Sequence, residues 1–252
     1  MKISLPMVEF YITNVCNLTC RGCNRFNNYK FKGHQYWNDH AVAIEAWSQR
    51  IDIDRIWIIG GEPTLNPDLE KWAMNLRRLW PNSEINVQTN GTSFKSVYNM
   101  HWQPYKVGFG VALHDPSTAD NIRKTWKYHG VFEAFDFHNA TIIEKDEHFI
   151  VHDSDPQLAF NCCDMKYDHT MSNGKLYKCP TMSGLAEFQK QFDLKLTSEQ
   201  QELLDAYQPL TADCDQAELE KFLQDRDNHI PQCTFCPQKI KWHKAIEITQ
   251  IA

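Results

Sequence analysis

Cys16, Cys20 and Cys23 lie in the run VCNLTCRGC, separated by three and two residues. Thiolates are the ligands of iron–sulfur clusters and of zinc. Three of them are an odd number for a disulfide framework and one short of a closed tetrahedral site. On a [4Fe–4S] cube, three thiolates cap three irons and leave the fourth open. A substrate or cofactor can then bind that iron directly, as at a catalytic zinc with an open position. A zinc knuckle completed by a distant His or Cys is the other chemistry this spacing allows.

Polar motifs follow downstream. In Gly60-Gly61-Glu62-Pro63 the glycines permit close backbone approach to a ligand and Pro63 fixes the turn. Glu62 can give a charge-assisted hydrogen bond to an ammonium group. Gln88-Thr89-Asn90-Gly91 offers hydroxyl and amide groups suited to a ribose or a carboxylate, and an Asn-Gly turn is the plainer reading. Val111-Ala112-Leu113-His114-Asp115 ends another apolar run in two polar side chains.

The CxxxCxxC spacing, followed by GGEP and TNG, resembles the radical S-adenosylmethionine (SAM) enzymes. That resemblance implies a [4Fe–4S] cluster on Cys16, Cys20 and Cys23, with SAM chelating the open iron. It implies SAM-binding roles for Gly60, Gly61, Glu62, Pro63, Thr89, Asn90, His114 and Asp115. Gly61 and Glu62 would serve the amino group of the methionine moiety, and His114 and Asp115 the ribose. One position departs from the pattern. The residue before the third cysteine is commonly aromatic and stacks near the adenine, but here it is Gly22, so adenine packing is expected from Phe26 or Tyr11.

A second cysteine set comprises Cys162, Cys163, Cys179, Cys233 and Cys236. Asn173-Gly174 is a strong hairpin signal, and a turn there brings Cys163 close to Cys179. The segment resembles the opening of the SPASM and Twitch auxiliary domains, and its single later CxxC resembles the shorter Twitch form. The resemblance implies an auxiliary [4Fe–4S] cluster on Cys163, Cys179, Cys233 and Cys236. Spacing does not separate Cys162 from Cys163, and structural zinc on the same cysteines is the alternative. Cys214 reads as a spare thiol.

Reductive cleavage of SAM to a 5′-deoxyadenosyl radical, and hydrogen abstraction by it, are the activity the resemblance implies. A closed auxiliary cluster would then withdraw an electron. The compact chain, with its core starting near residue 8 and no peptide-recognition domain ahead of it, points to a small polar substrate. Dehydrogenation or epimerisation of a sugar or aminocyclitol is the expected chemistry. A peptide-modifying maturase is the alternative, and a zinc-stabilised binding module the non-enzymatic one. An epimerase would need a hydrogen donor, for which Cys162 and Cys214 are candidates. An external electron donor of flavodoxin or ferredoxin type is implied. No general base stands out among His34, His114, His138, His169 and Glu144.

The elements that must carry these motifs alternate. VEFYIT (8–13) reads as a strand delivering the first cysteine, and RIWIIGGEP (55–63), EINVQTNG (84–91) and KVGFGVALHD (106–115) as strands ending in motifs. FEAFDFHNATII (132–143) supplies one or two more. HAVAIEAWSQRI (40–51) and LEKWAMNLRRLW (69–80) have helical spacing, and a polar helical stretch runs from about 197 to 227. Such alternation describes a parallel α/β sheet or barrel with ligands at the strand C-terminal ends. The resemblance makes it a partial (β/α)6 barrel, residues 1–155, followed by a small α+β iron–sulfur domain, residues 156–252.

The chain has 252 residues, 42% hydrophobic and 23% charged, with a formal net charge of −6. That balance argues against a large nucleic-acid footprint, and Lys239, Lys241 and Lys244 read as a solvated face. MKISLPMVEF lacks the apolar run of a signal peptide, and no stretch nears the ~20 apolar residues of a membrane span. A cytoplasmic, reducing setting is expected. There, nine cysteines read as ligands or reactive thiols before bridges.

Overall fold

Around β1 (Ile3–Tyr11) the sheet grows in both directions. In the computed structural model, which describes residues 2–20, 23, 25–27, 32–93, 105–114, 120–125, 133–136, 138–140, 151–192, 195–239 and 242–244, nine strands are present. They are β1, β2 (Ile51–Ile59), β3 (Glu84–Thr89), β4 (Val107–Leu113), β5 (Glu133–Asp136), β6 (His138–Ala140), β7 (His169–Ser172), β8 (Lys175–Tyr177) and β9 (Trp242–Lys244). Seven form one sheet in the order β5-β4-β3-β2-β1-β7-β8, and β6 pairs with β9. Every neighbouring pair from β5 to β7 is parallel; only β8 runs antiparallel at the edge. This is a mixed α/β fold with a parallel-dominated sheet, consistent with a partial radical SAM barrel.

β1 starts earlier than the expected residue 8, because Ile3 pairs with Ile51 and the register holds as far as Tyr11↔Ile59. α1 (Trp37–Ser48) correspondingly stops short of residue 51, leaving Ile51 to open β2. α2 (Leu69–Leu79) buries Leu69, Trp72, Ala73 and Leu76, the i, i+3, i+4, i+7 stripe of an amphipathic helix, and places Arg77 and Arg78 in its last turn. Both helices cover the face of the sheet carrying Val8, Phe10, Ile56, Ile58, Ile85 and Val87, and with Trp47 and Trp72 this forms the main core. Each fully buried apolar side chain there contributes about 1.5–3 kcal/mol of transfer free energy.

The Asn173-Gly174 hairpin forms as expected. Both residues take positive φ, 50° and 71°, as a two-residue type I′ turn requires, and Met171 faces Leu176 across it. Its strand β7 pairs in parallel with β1, Glu9 opposite Thr170 and Phe10 opposite Met171. The hairpin assigned from sequence to the second domain thus continues the sheet of the first.

Of the remaining helices, α3 (Pro156–Cys162) precedes β7, and α4 (Pro180–Phe192), α5 (Ser198–Ala206) and α6 (Gln216–Gln224) follow β8. The single stretch expected over 197–227 is two helices. Pro209 interrupts it, Leu210 bridges to Leu176, and each helix begins with its own capping box, Thr197/Gln200 and Asp215/Glu218. A second apolar cluster joins Met182, Leu185, Phe188, Leu204 and Phe235 to Phe26 of the cysteine loop.

Candidate functional site

The first cysteine loop leaves the C-terminal end of β1, where a parallel α/β sheet presents ligands. It is fastened from two sides. The Gly61 and Glu62 amides donate to the Thr13 and Val15 carbonyls, both at 2.8 Å. Asn17 Nδ2 donates to Thr92 Oγ1 at 2.7 Å and Ser93 Oγ at 3.1 Å, while Asn90 Nδ2 donates to Asn17 Oδ1 at 2.9 Å. The GGEP and TNG segments therefore hold the loop that carries the thiols.

Cys16, Cys20 and Cys23 stand close enough to act on one another. Burial pushes the Cys16 thiol up to about 12, with Glu62 and Cys23 adding to the rise. Cys20 is raised further by burial, then by Cys23 and Cys16. Buried thiols such as Cys16 and Cys20, which resist ionisation alone, are the donors expected to lose their protons only when a metal group takes them. With Cys23, they fit a [4Fe–4S] cluster capped at three irons.

These thiols border an open cavity of about 1030 Å³, solvent space at its mouth included, walled also by Gly60, Gly61, Thr89, Asn90 and His114. The structure therefore brings most of the expected cofactor residues to one place. His114 is held down to about 4 by burial, so a neutral imidazole borders the cavity. Asp115 and Gly22 lie outside the described residues.

Glu62 departs from the expectation. It is 0% exposed and does not border the cavity. Its Oε1 accepts from the Thr64 amide at 3.1 Å, Thr64 Oγ1 at 2.5 Å and Thr89 Oγ1 at 2.6 Å, and its Oε2 from the Asn90 amide at 2.7 Å. Burial raises its carboxyl while these donors pull it down. Glu62 pins β2 to β3 behind the wall, and Pro63 is buried beside it as the start of a one-turn 3₁₀ helix. Thr89 is likewise engaged, since its hydroxyl donates to Glu62 and accepts from the Gly91 amide at 3.0 Å.

Phe26 and Tyr11 do not border the cysteine cavity. Phe26 packs 5.0 Å from Phe188 in the second core, and both aromatics line a neighbouring cavity with His34 and Ser183. Leu18, Ile59, Ala112 and Met165 supply the apolar lining instead. Among the other basic candidates, His34 pairs with Thr13 Oγ1 at 2.8 Å and His169 is buried away from both cavities. The side chain of His138 and all of Glu144 lie outside the described residues.

Residues with no motif to announce them also border the cavity: Glu9, Arg25 and Asp168. Arg25 Nη2 reaches both Glu9 oxygens at 2.6 Å, and Thr170 Oγ1 donates to Glu9 at 3.2 Å. The available signal was a glutamate inside the apolar strand VEFYIT. A charge buried in a strand needs a partner.

The second cysteine set also converges. Cys163 is pushed up to about 12 by burial and by Cys179 and Cys233, and Cys179 to about 11 by burial and Cys233. Cys236 is raised well above the usual thiol by burial and then by Cys179, Cys163, Cys233 and, last, Cys162. Cys162 instead donates to the Pro237 carbonyl at 3.2 Å and the Ala159 carbonyl at 3.4 Å. Cys214 accepts from Arg50 Nη1 at 3.2 Å, against the main core. Among the described residues, no group of three or more His, Cys, Asp or Glu has the geometry to hold a single metal ion.

A three-thiol loop at the mouth of a parallel α/β sheet, with a cavity beside it, defines an iron–sulfur enzyme of the SAM-cleaving class. The family model for the Radical SAM superfamily matches residues 10–143, and the chain belongs to that superfamily. Membership implies SAM and a [4Fe–4S] cluster as cofactors. No curated protein matches the sequence. Among solved structures, the chain resembles BtrN in complex with AdoMet and 2-DOIA at 15% identity, covering 93% of this chain and 86% of that one with a TM-score of 0.50. It also matches SuiB from Streptococcus suis bound to S-adenosylmethionine at 18% identity, 48% of this chain, 28% of that one and TM-score 0.37. For anSMEcpe with bound AdoMet the values are 18%, 52%, 42% and 0.41.

Proposed function

We propose that this radical SAM enzyme oxidises a small polar molecule, sugar- or aminocyclitol-like, by dehydrogenation or a related radical modification. Cys16, Cys20 and Cys23 would hold the SAM-binding cluster, and Cys163, Cys179, Cys233 and Cys236 an auxiliary [4Fe–4S] cluster of the Twitch kind. When bound, the cluster and SAM supply a 5′-deoxyadenosyl radical that removes a substrate hydrogen atom. The residues then divide into a core, 1–155, and an auxiliary part, 156–252.

This chain's own groups bind, orient and shield. Gly60 and Gly61 present backbone to the cofactor, with Glu62 and Pro63 holding that turn from behind. Asn90 and neutral His114 face the same space, and Glu9, Arg25 and Asp168 offer polar contacts on the wall of the cysteine cavity. Reducing electrons would arrive from a flavodoxin- or ferredoxin-like donor. Among the described residues no helix is long and apolar enough to cross a membrane.

The observation that carries the reading is the second convergence of four thiols, a site suited to taking an electron from an oxidised substrate. The BtrN complex with 2-DOIA supports a small-molecule substrate over a peptide.

Anaerobic reconstitution with iron and sulfide, then dithionite and SAM, tests the reading. About eight irons per chain and release of 5′-deoxyadenosine are expected. Bound zinc without SAM cleavage overturns it. Transfer of deuterium from a labelled aminocyclitol or sugar into 5′-deoxyadenosine tests the substrate class, and transfer only from a labelled peptide would move the reading to peptide modification.

A further inference from the structure

We propose that Arg25 is a substrate-binding residue, donating from Nη1 to a hydroxyl or carbonyl oxygen, and that the wall around it selects an uncharged or amine-bearing polyol over a phosphorylated one. This rests on reading the chain as a radical SAM enzyme acting on a small polar molecule.

Arg25 stands at a junction. Among the described residues it is the only one that borders both the cysteine cavity and the neighbouring cavity lined by Tyr11 and Phe26. Two strands hold its guanidinium in place. Glu9 on β1 accepts from it, and Thr170 on β7 donates to Glu9 at 3.2 Å. The pair is mostly buried, with 11% of the Arg25 side chain and 7% of the Glu9 side chain exposed.

The geometry of the pair leaves a donor over. An arginine fork commonly sets two nitrogens against the two carboxylate oxygens. Here Nη2 alone meets both Glu9 oxygens, each at 2.6 Å. Nη1 is buried and has no hydrogen-bond partner among the described residues. A buried donor on a permanently charged group without an acceptor is a rare arrangement. An oxygen brought to the junction by a ligand satisfies it.

The surrounding charges decide what that oxygen belongs to. Glu9, Asp164 and Asp168 border the cysteine cavity together with Arg25, and among the described residues no other Lys or Arg borders either cavity. Glu9 already matches the Arg25 charge. A phosphate at this wall would therefore find no uncommitted cation and would meet Asp164 and Asp168 as well. A hydroxyl or carbonyl oxygen accepts from Nη1 without that repulsion. An ammonium elsewhere on the ligand is drawn to the same acidic groups, so an aminocyclitol or amino sugar combines both features.

The test uses the full chain, reconstituted with iron and sulfide and loaded with SAM. Equilibrium dialysis measures its binding of scyllo-inosamine, scyllo-inositol and myo-inositol 1-phosphate. The first two should bind, and the phosphate should bind about tenfold more weakly or worse. Arg25→Lys keeps a cation for Glu9 but lacks the second nitrogen, and Glu9→Gln combined with Arg25→Met removes the buried pair as a whole. Both variants should lose about tenfold or more in affinity for scyllo-inosamine. Parent-like affinity in either variant overturns the proposal, as do equal binding of the phosphate and absence of probe binding by the parent. Loss of iron in both variants overturns it too, by making Arg25 a support of the cysteine loop. Loss of SAM affinity in place of probe affinity would assign Arg25 to the cofactor and likewise overturn it. A parent that loads iron yet releases no 5′-deoxyadenosine would instead overturn the radical-enzyme reading itself.

Discussion

Gly61 and Cys16 approach so closely that a Cβ on Gly61 would lie 2.8 Å from the Cys16 Cβ and 2.4 Å from the Val15 carbonyl oxygen. Glycine is required here for the passage of the cysteine loop, since real Cβ atoms do not tolerate such contacts. Gly61→Ala should displace the loop and with it the first thiol. The expected result is a loss of iron at the first site and at least a tenfold fall in SAM cleavage, with the second site still loaded. Iron analysis and 5′-deoxyadenosine release measure both. Normal cleavage in Gly61→Ala would mean the loop gives way freely.

Glu62 joins β2 to β3 through two backbone amides and two hydroxyls. A carboxamide in its place turns one end into a donor that faces donors. Glu62→Gln should cost about 1–3 kcal/mol, the penalty for leaving buried polar groups unsatisfied, and should lower SAM cleavage through the disturbed loop. Urea unfolding checks the first and product release the second. Full stability with abolished cleavage would show that Glu62 touches the cofactor after all.

Asp168 is pushed up to about 7 by burial and then by Glu9, against the pull of Arg25. An acid held above its ordinary value binds its proton more tightly in the folded chain than in the unfolded one. Its stabilising contribution is full below the ordinary carboxylate value and is lost as pH rises through about 7. Asp168→Asn should therefore melt higher than the parent at about pH 8, and that advantage should shrink at about pH 5. Melting temperatures at both values decide it; a gap that widens toward acid would reverse the sign and refute the assignment.

The parallel sheet and the motifs at its strand ends were legible because apolar runs, turns and cysteines are local signals. The type I′ turn at Asn173-Gly174 is a case in which two residues dictate the backbone. What stayed hidden is long-range. Nothing in HTMS says that it will pair with β1, and Glu9 shows its partner only when the loop returns Arg25 to it. Glu62 reads in sequence as a ligand group, yet two of its four donors come from Thr89 at the end of β3 and Asn90 just after it, and that closure is a property of the fold. α4 was missed for a related reason. Its helical face packs on Phe26 from a distant loop, so its pattern matches no neighbour in sequence.

Cys162 and Cys163 are equivalent by spacing and different in space. Cys163 feels Cys179 and Cys233, whereas the Cys162 hydrogen is directed to the carbonyls of Pro237 and Ala159. Replacing Cys163 with Ser should remove roughly half of the iron from a fully reconstituted chain, spare part of the SAM cleavage and stop substrate turnover. Cys162→Ser should retain the iron, because a hydroxyl can donate to the same carbonyls. The reverse pattern would exchange the two residues. Equal loss in both would mean that the adjacent pair acts as one, with the end of α3 reorganising to supply either sulfur.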